Sequence, residues 1–357
     1  MKYFFYLVIL LSACQNKSAD VKESVLSYEP MRYTKMFGIA HFSDYSRLFF
    51  VKDGDTSWSI SSKEIDTSNT KIVVLSSVFA ACLEIIDEQD KIIGIDKITY
   101  YNDSILLKAY FNGLISEIGE EGQLKMEKLL QLKPDFLFAS SHTSSDIATV
   151  KRLESVGTKI IPCDNFLEQD PLARAEWMKL FGFVCGKLPL ANLKFNQIDS
   201  NYQLLKSQVS RTSKRPIVMT DAMYMSVWNV PGAESYTAKL IQDAGGKYVF
   251  SNKKDRYSFP LSFETVYTAA ASADVWIHVN QYKTISELLA AEPRYQLFNP
   301  VIKQQVYNYN KKENVTGGND FWETGVVRPD LILNDLIQVF SMDKNKQTDL
   351  YFYNRLD

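Results

Sequence analysis

Histidine is nearly absent from this chain: His41, His142 and His278 are the only three in 357 residues. That scarcity argues against a histidine-rich zinc or manganese centre. Cysteine is also rare, with Cys14, Cys82, Cys163 and Cys185 and no CxxC or other metal-ligating spacing. Neither sign of charge dominates. Forty basic and 42 acidic residues leave a net charge of −2, which excludes a broad basic footprint for nucleic acid. Past the N-terminus no apolar run reaches the roughly 20 residues that span a bilayer. The G-x-S-x-G elbow, the P-loop and the complete dinucleotide fingerprint are all missing. Thr316-Gly317-Gly318-Asn319 is glycine-rich but lacks the G-x-G-x-x-G spacing and a framing strand–helix pair. An envelope hydrolase would need a nucleophile, a base and an orienting group in one cleft, and the sequence gives no support for that set.

What the chain does have begins at residue 1. One lysine, Lys2, precedes nine apolar residues, Tyr3 to Leu11. This is too short to cross a membrane and suits the apolar region of a secretory signal. The next residues, Leu11-Ser12-Ala13-Cys14, resemble the lipobox of bacterial lipoproteins. The resemblance implies removal of residues 1–13 and acylation of Cys14, and two or more acyl chains anchor a protein stably to a membrane. Residues 14–33 are polar and aperiodic and read as a tether. With Cys14 acylated, three cysteines remain. One disulfide is then possible in an oxidising compartment, with Cys163–Cys185 the favoured pair, while Cys82 sits in the apolar stretch 78–86 and reads as a buried thiol. An apolar fraction of 46% and 13% aromatics suffice for a large core.

Residues 34–70 read as a β-ribbon extension, with strand-like Met36 to Ile39 and Arg47 to Val51 and a turn at Asp53-Gly54. From Lys71 short apolar strands alternate with helices: strands at 72–75, 92–95, 135–139 and 159–162, helices at 78–87, 124–132 and 147–156. A single helix of roughly twenty residues interrupts this, with Phe195, Ile198, Tyr202, Leu205 and Val209 along one stripe. The alternation then resumes. Strands fall at 217–219, 247–250 and 274–277, and helices at 235–244, 264–272 and 329–340. Strand–helix repetition implies α/β lobes with mostly parallel sheets. The expected division is an N-terminal lobe over 71–188, a bridging helix over 189–213 and a C-terminal lobe over 214–357.

The ordered segments Lys71-Ile72-Val73-Val74-Leu75-Ser76, Ile92-Ile93-Gly94-Ile95, the stretch Met126 to Asp135 and the stretch Leu240 to Gly246 carry a family likeness. Over roughly residues 70–340 the chain resembles the solute-binding proteins of bacterial ABC importers for ferric siderophores, haem and vitamin B12. The resemblance implies two lobes, each with a mostly parallel central sheet flanked by helices, joined by one long rigid helix. It implies a monomer that delivers its ligand to a permease dimer with its ATPase subunits. It also implies surface carboxylates for permease docking, which by motif position are Glu127 and Glu264. A glutamate early in a helix is equally a favourable macrodipole partner.

Family ligands lie between the lobes, at loops following the strand C-terminal ends, as the general rule for open α/β sheets has it. The ligand-contact candidates are Tyr100, Tyr101, Trp228, Tyr257, Phe259 and Trp322 for stacking, and Arg256 and Arg328 for an anionic group. Asp320 would accept hydrogen bonds from ligand hydroxyls or amides. Each aromatic is also a core candidate, and Asp320 and Arg328 could pair with each other. The transported ligand is expected to be a ferric siderophore, haem or cobalamin, with no resident cofactor or metal. His278 and Tyr282 suggest axial haem ligands, but His278 follows the apolar strand Val275 to Ile277 and reads as a near-core residue. A binding protein that works as a sensor without a transporter is a further alternative.

Overall fold

The computed structural model describes residues 24–52, 54–209, 215–341 and 349–357. The expected signal peptide and the Cys14 anchor lie outside the described residues.

Four short strands come first: β1 (Ser27–Tyr28), β2 (Phe37–His41), β3 (Ser46–Lys52) and β4 (Asp55–Ser61). They form one antiparallel sheet in that order. Alternation along β2 and β3 places Phe37, Ile39, Leu48 and Phe50 on a single buried face. Phe37 and Phe50 meet Trp177, with ring centroids 5.1 and 6.1 Å away, so the ribbon is docked onto the N-terminal lobe.

The folded body reaches into the expected tether. Besides β1, the backbone N–H groups of Arg32, Tyr33 and Thr34 donate to the Glu176 carboxylate at 2.9, 2.8 and 3.0 Å. Lys179 Nζ donates to the same carboxylate at 2.9 Å and to the Pro30 carbonyl at 3.0 Å. Both side chains are buried. The polar, aperiodic segment is fixed by a distant carboxylate that no local pattern displays.

The N-terminal lobe is built on β5 (Ile72–Val74), β6 (Ile92–Ile95), β7 (Ser116–Glu117), β8 (Phe136–Ala139) and β9 (Lys159–Pro162). The order is β7-β6-β5-β8-β9, parallel throughout. Ile72, Val74, Phe136 and Phe138 enter the main core, whereas Val73 and Leu137 enter a second apolar cluster on the other face. Burial on both faces accounts for the unbroken apolar runs of these strands. Cys82, Cys163 and Cys185 are buried, free thiols, so the expected Cys163–Cys185 bridge is not formed. Each packs as a small apolar group, and burial pushes the Cys185 thiol up to about 12.

Two short helices, Pro171–Glu176 and Met178–Val184, lead into the bridging helix Leu188–Val209. Its expected stripe is buried at Phe195, Ile198 and Tyr202. Tyr202 donates its hydroxyl to Asp243 at 3.0 Å, which ties the bridge to the C-terminal lobe.

That lobe contains β10 (Ile217–Thr220), β11 (Trp228–Pro231), β12 (Lys247–Tyr248), β13 (Ser258–Leu261), β14 (Val275–Ile277), β15 (Val306–Asn308) and β16 (Asn354–Arg355). Its sheet runs β12-β10-β14-β15-β16, parallel except for β16. The expected closing helix is present as Pro329–Phe340. Strands β11 and β13 pair antiparallel outside this sheet, in segments the sequence suggested were cleft loops. Among the described residues no helix is long and apolar enough to cross a membrane.

Candidate functional site: a cleft between the lobes

Short strands leave their polar linkers at the C-terminal edge of each sheet, and one groove collects three of them. A cleft of about 280 Å³ is lined by Leu75, Ser76 and Ser77 after β5, and by Asp96, Thr99 and Tyr100 after β6. Gly317, Asn319 and Trp322 close it from the C-terminal lobe. Tyr100 and Trp322 are 44% and 42% exposed, so one open aromatic comes from each lobe. Tyr100 donates its hydroxyl to Glu120, which Lys97 also contacts at 2.7 Å. Trp322 stands edge-on to Tyr309 and Phe321, at 5.4 and 4.8 Å between centroids.

The lobes meet along one side of this cleft. Glu323, itself buried, accepts backbone N–H bonds from Asn102 at 2.5 Å and Asp103 at 3.3 Å. Asn102 Nδ2 donates to the Lys312 carbonyl at 2.7 Å, and Asn314 Nδ2 donates to the Tyr101 carbonyl at 2.9 Å. Gly318 makes this approach feasible, because a Cβ there would lie 2.0 Å from the Tyr101 carbonyl oxygen. A second contact joins Arg256 Nη2 to Gln169 Oε1 at 2.9 Å.

The other ligand-contact candidates lie elsewhere. Tyr101 is wholly buried, its ring in the core and its hydroxyl 3.4 Å from the Val74 carbonyl oxygen. Trp228 is wholly buried too, stacked on Trp276 at 5.5 Å with Nε1 donating to the Thr220 carbonyl at 3.1 Å. Both rings are wholly buried and so closed to a ligand. Phe259, on β13, is half-buried edge-on to Phe250. Tyr257 is exposed but is not among the residues lining the cleft. Arg328 makes a two-pronged bond to Asp330 at 2.9 and 2.8 Å, and Asp320 lies 3.8 Å from Lys312, so Arg328 and Asp320 do not pair with each other. His278 is buried, with Nε2 2.6 Å from the Tyr353 hydroxyl, and burial holds the imidazole down at about 3, hence neutral.

Among the described residues lining the cleft none is basic, and Asp96 is the one acid. Burial pushes the carboxyls of Asp96 and Glu323 up to about 6 and about 8. Burial, with the charges of Asp103 and Asp320 added, pushes Glu84 to about 7. Asp221, first after β10 in the other lobe, is pushed to about 7 by burial. Asp96 was not among the residues singled out from sequence. The available signal was its place: an acid directly after the apolar strand 92–95, at the sheet edge where ligands bind.

The docking candidates are both exposed. Glu127 sits in the first turn of the helix Met126–Leu132, which leads into β8. Glu264 sits in the first turn of Phe263–Ala270, which leads into β14, and lies 3.2 Å from Arg294. They hold equivalent places in the two lobes.

Known proteins share this architecture. The family described as periplasmic binding protein matches residues 72–313, leaving the β-ribbon outside it. An uncharacterized lipoprotein of Methanocaldococcus jannaschii is 26% identical over 300 residues, covering 82% of this chain and 70% of its own length. A periplasmic binding protein from Veillonella parvula superposes with a TM-score of 0.60 at 16% identity, covering 85% of this chain and 100% of that one. IsdE of S. aureus, solved in complex with haem, gives 0.56 at 18% identity, covering 76% and 98%. The periplasmic haem-binding protein HutB of Vibrio cholerae gives 0.58 at 17% identity, covering 74% and 99%. With more than half its length matched, the chain belongs to the periplasmic binding protein family.

Proposed function

We propose that this protein is the lipid-anchored solute receptor of an ABC importer, capturing an iron chelate, haem or a corrinoid in the inter-lobe cleft and presenting it to the permease. The observation that carries the reading is the cleft itself. It lies between two lobes fixed by one long helix, with an open aromatic from each lobe, Tyr100 and Trp322, on its wall. Flat, amphipathic rings supply large contact area at low conformational cost. The haem-binding descriptions of two structural neighbours support the ligand class. The lipoprotein relative and the Leu11-Ser12-Ala13-Cys14 segment support an anchor at Cys14. Glu127 and Glu264, one exposed acid per lobe, suit docking on a two-fold permease, where charge complementarity sets orientation and on-rate.

Fluorescence titration of the mature chain with hemin, ferric siderophores and cyanocobalamin tests this. Binding should quench emission, and Trp322→Phe should remove much of the change. A folded protein whose emission none of these ligands alters would refute the reading.

A further inference from the structure

Asp96 is the first residue after β6, it lines the cleft, and it is 6% exposed. The Tyr101 hydroxyl and the Lys97 backbone act on its carboxyl, but Oδ1 is buried and has no hydrogen-bond partner among the described residues. Native proteins rarely leave a buried carboxylate oxygen unpaired, because losing solvation without a donor in return is costly. Glu121 shows the contrast nearby: its carboxylate accepts from both the backbone N–H and the hydroxyl of Ser140.

The rest of the wall sharpens the reading. Its other polar side chains, Ser76, Ser77, Thr99 and Asn319, are uncharged, and none of the lining residues is basic. Of the arginines expected to neutralise an anion, Arg328 is held by Asp330, and Arg256, bonded to the neutral Gln169 amide, is not among the residues lining the cleft. At the adjoining seam the charges of Asp103 and Asp320 raise the carboxyls of Glu84 and Glu323, so this side of the cleft offers an anion no favourable partner. The start of the helix Ser77–Glu84 favours an anion, but there Ser76 already caps Val78 N.

We propose that Asp96 reads the ligand: its unpartnered oxygen accepts a hydrogen bond from an N–H or O–H of the bound solute. The cleft therefore prefers solutes that present an amine, amide or hydroxyl to those that present only carboxylates. This rests on the solute-receptor function proposed above and narrows its ligand class to neutral or cationic chelates and amide-bearing corrinoids.

Calorimetric titration of the mature chain with four probes separates the two ideas. Ferrioxamine B carries a free ammonium and cyanocobalamin carries peripheral amides; ferric citrate and hemin present carboxylates. At least one of the first pair should bind more tightly than either of the second. Asp96→Leu should weaken that probe by about tenfold to a hundredfold, the range of a charge-assisted hydrogen bond, and Asp96→Asn by less. Ligand-free Asp96→Asn, which keeps an acceptor for the Tyr101 hydroxyl and the Lys97 backbone, should melt close to the parent while binding the probe more weakly, whereas a purely structural role would shift the midpoint and leave affinity unchanged. Tightest binding of a carboxylate probe, or binding indifferent to both substitutions, would overturn the role of Asp96 while leaving solute capture intact. Failure of all four to bind the folded parent would remove the receptor function, and this inference with it.

Discussion

Glu323 joins the lobes by accepting the N–H groups of Asn102 and Asp103, and it does so from a buried position. Burial is the main reason its carboxyl is pushed up to about 8, and the nearby charges of Asp103 and Asp320 add to the rise. The two N–H bonds act against it. In the unfolded chain the same group ionises near its ordinary value of 4.5. The folded state thus keeps a proton that the unfolded state has released. Stability from this group is complete below about pH 4.5 and is lost as pH rises through 8. At about 1.4 kcal/mol per pH unit, the loss between pH 5 and pH 8 is about 4 kcal/mol. Glu84, Asp96 and Asp221 act in the same direction, with carboxyls raised to about 7, 6 and 7. His278, held down at about 3 by burial, acts oppositely: its contribution is complete above about pH 6.5 and is lost as pH falls toward 3.

The bulk pH dependence therefore mixes several groups, and the single substitution Glu323→Gln isolates one of them. Glutamine keeps the shape and an acceptor oxygen but cannot ionise. Urea unfolding of parent and variant at pH 5, 6.5 and 8 gives the comparison. The free-energy difference should move in the variant's favour by about 4 kcal/mol from the lowest pH to the highest. Parallel curves for the two proteins would refute the reasoning, because they would mean that Glu323 titrates alike in the folded and unfolded states.

Three further outcomes are expected. Glu176→Ala removes the acceptor of three backbone N–H groups and strands Lys179 in the core, so urea unfolding should show a loss of about 3–5 kcal/mol. Arg32→Ala removes the half-exposed partner of Asp199 and should cost under about 1 kcal/mol in the same assay. Reversing the charge of Glu127 and Glu264 together should abolish uptake by whole cells while leaving solute affinity in calorimetry unchanged. A fall in affinity would place these acids in the service of the cleft.

What could be seen in the sequence is what repeats locally. Ile72 to Leu75, Ile92 to Ile95 and Phe136 to Ala139 are apolar throughout because sheets buried on both faces demand it, and Phe195, Ile198 and Tyr202 recur at helical spacing. The β11–β13 pair was hidden because Trp228-Asn229-Val230-Pro231 is short and ends in proline, which suggests a loop until its partner strand is known. The cleft was legible as a place and illegible as a chemistry. An arginine in a cleft-side loop predicts an anion only if its charge is unspent, and Arg328 is bound by an aspartate two residues on. Tyr100 and Tyr101 are neighbours of one type, yet one is open at the wall and the other sealed in the core, because the short helix Ile98–Tyr100 ends between them and turns the chain inward. Asp96 carries the reverse lesson. Beyond its place after a strand nothing in its sequence context marks it, and its significance comes from the one oxygen left unpaired among the described residues after folding. Ligand preference in such a cleft follows from which charged groups remain unpaired after folding, a property of the assembled lobes that residue type at the strand ends does not determine.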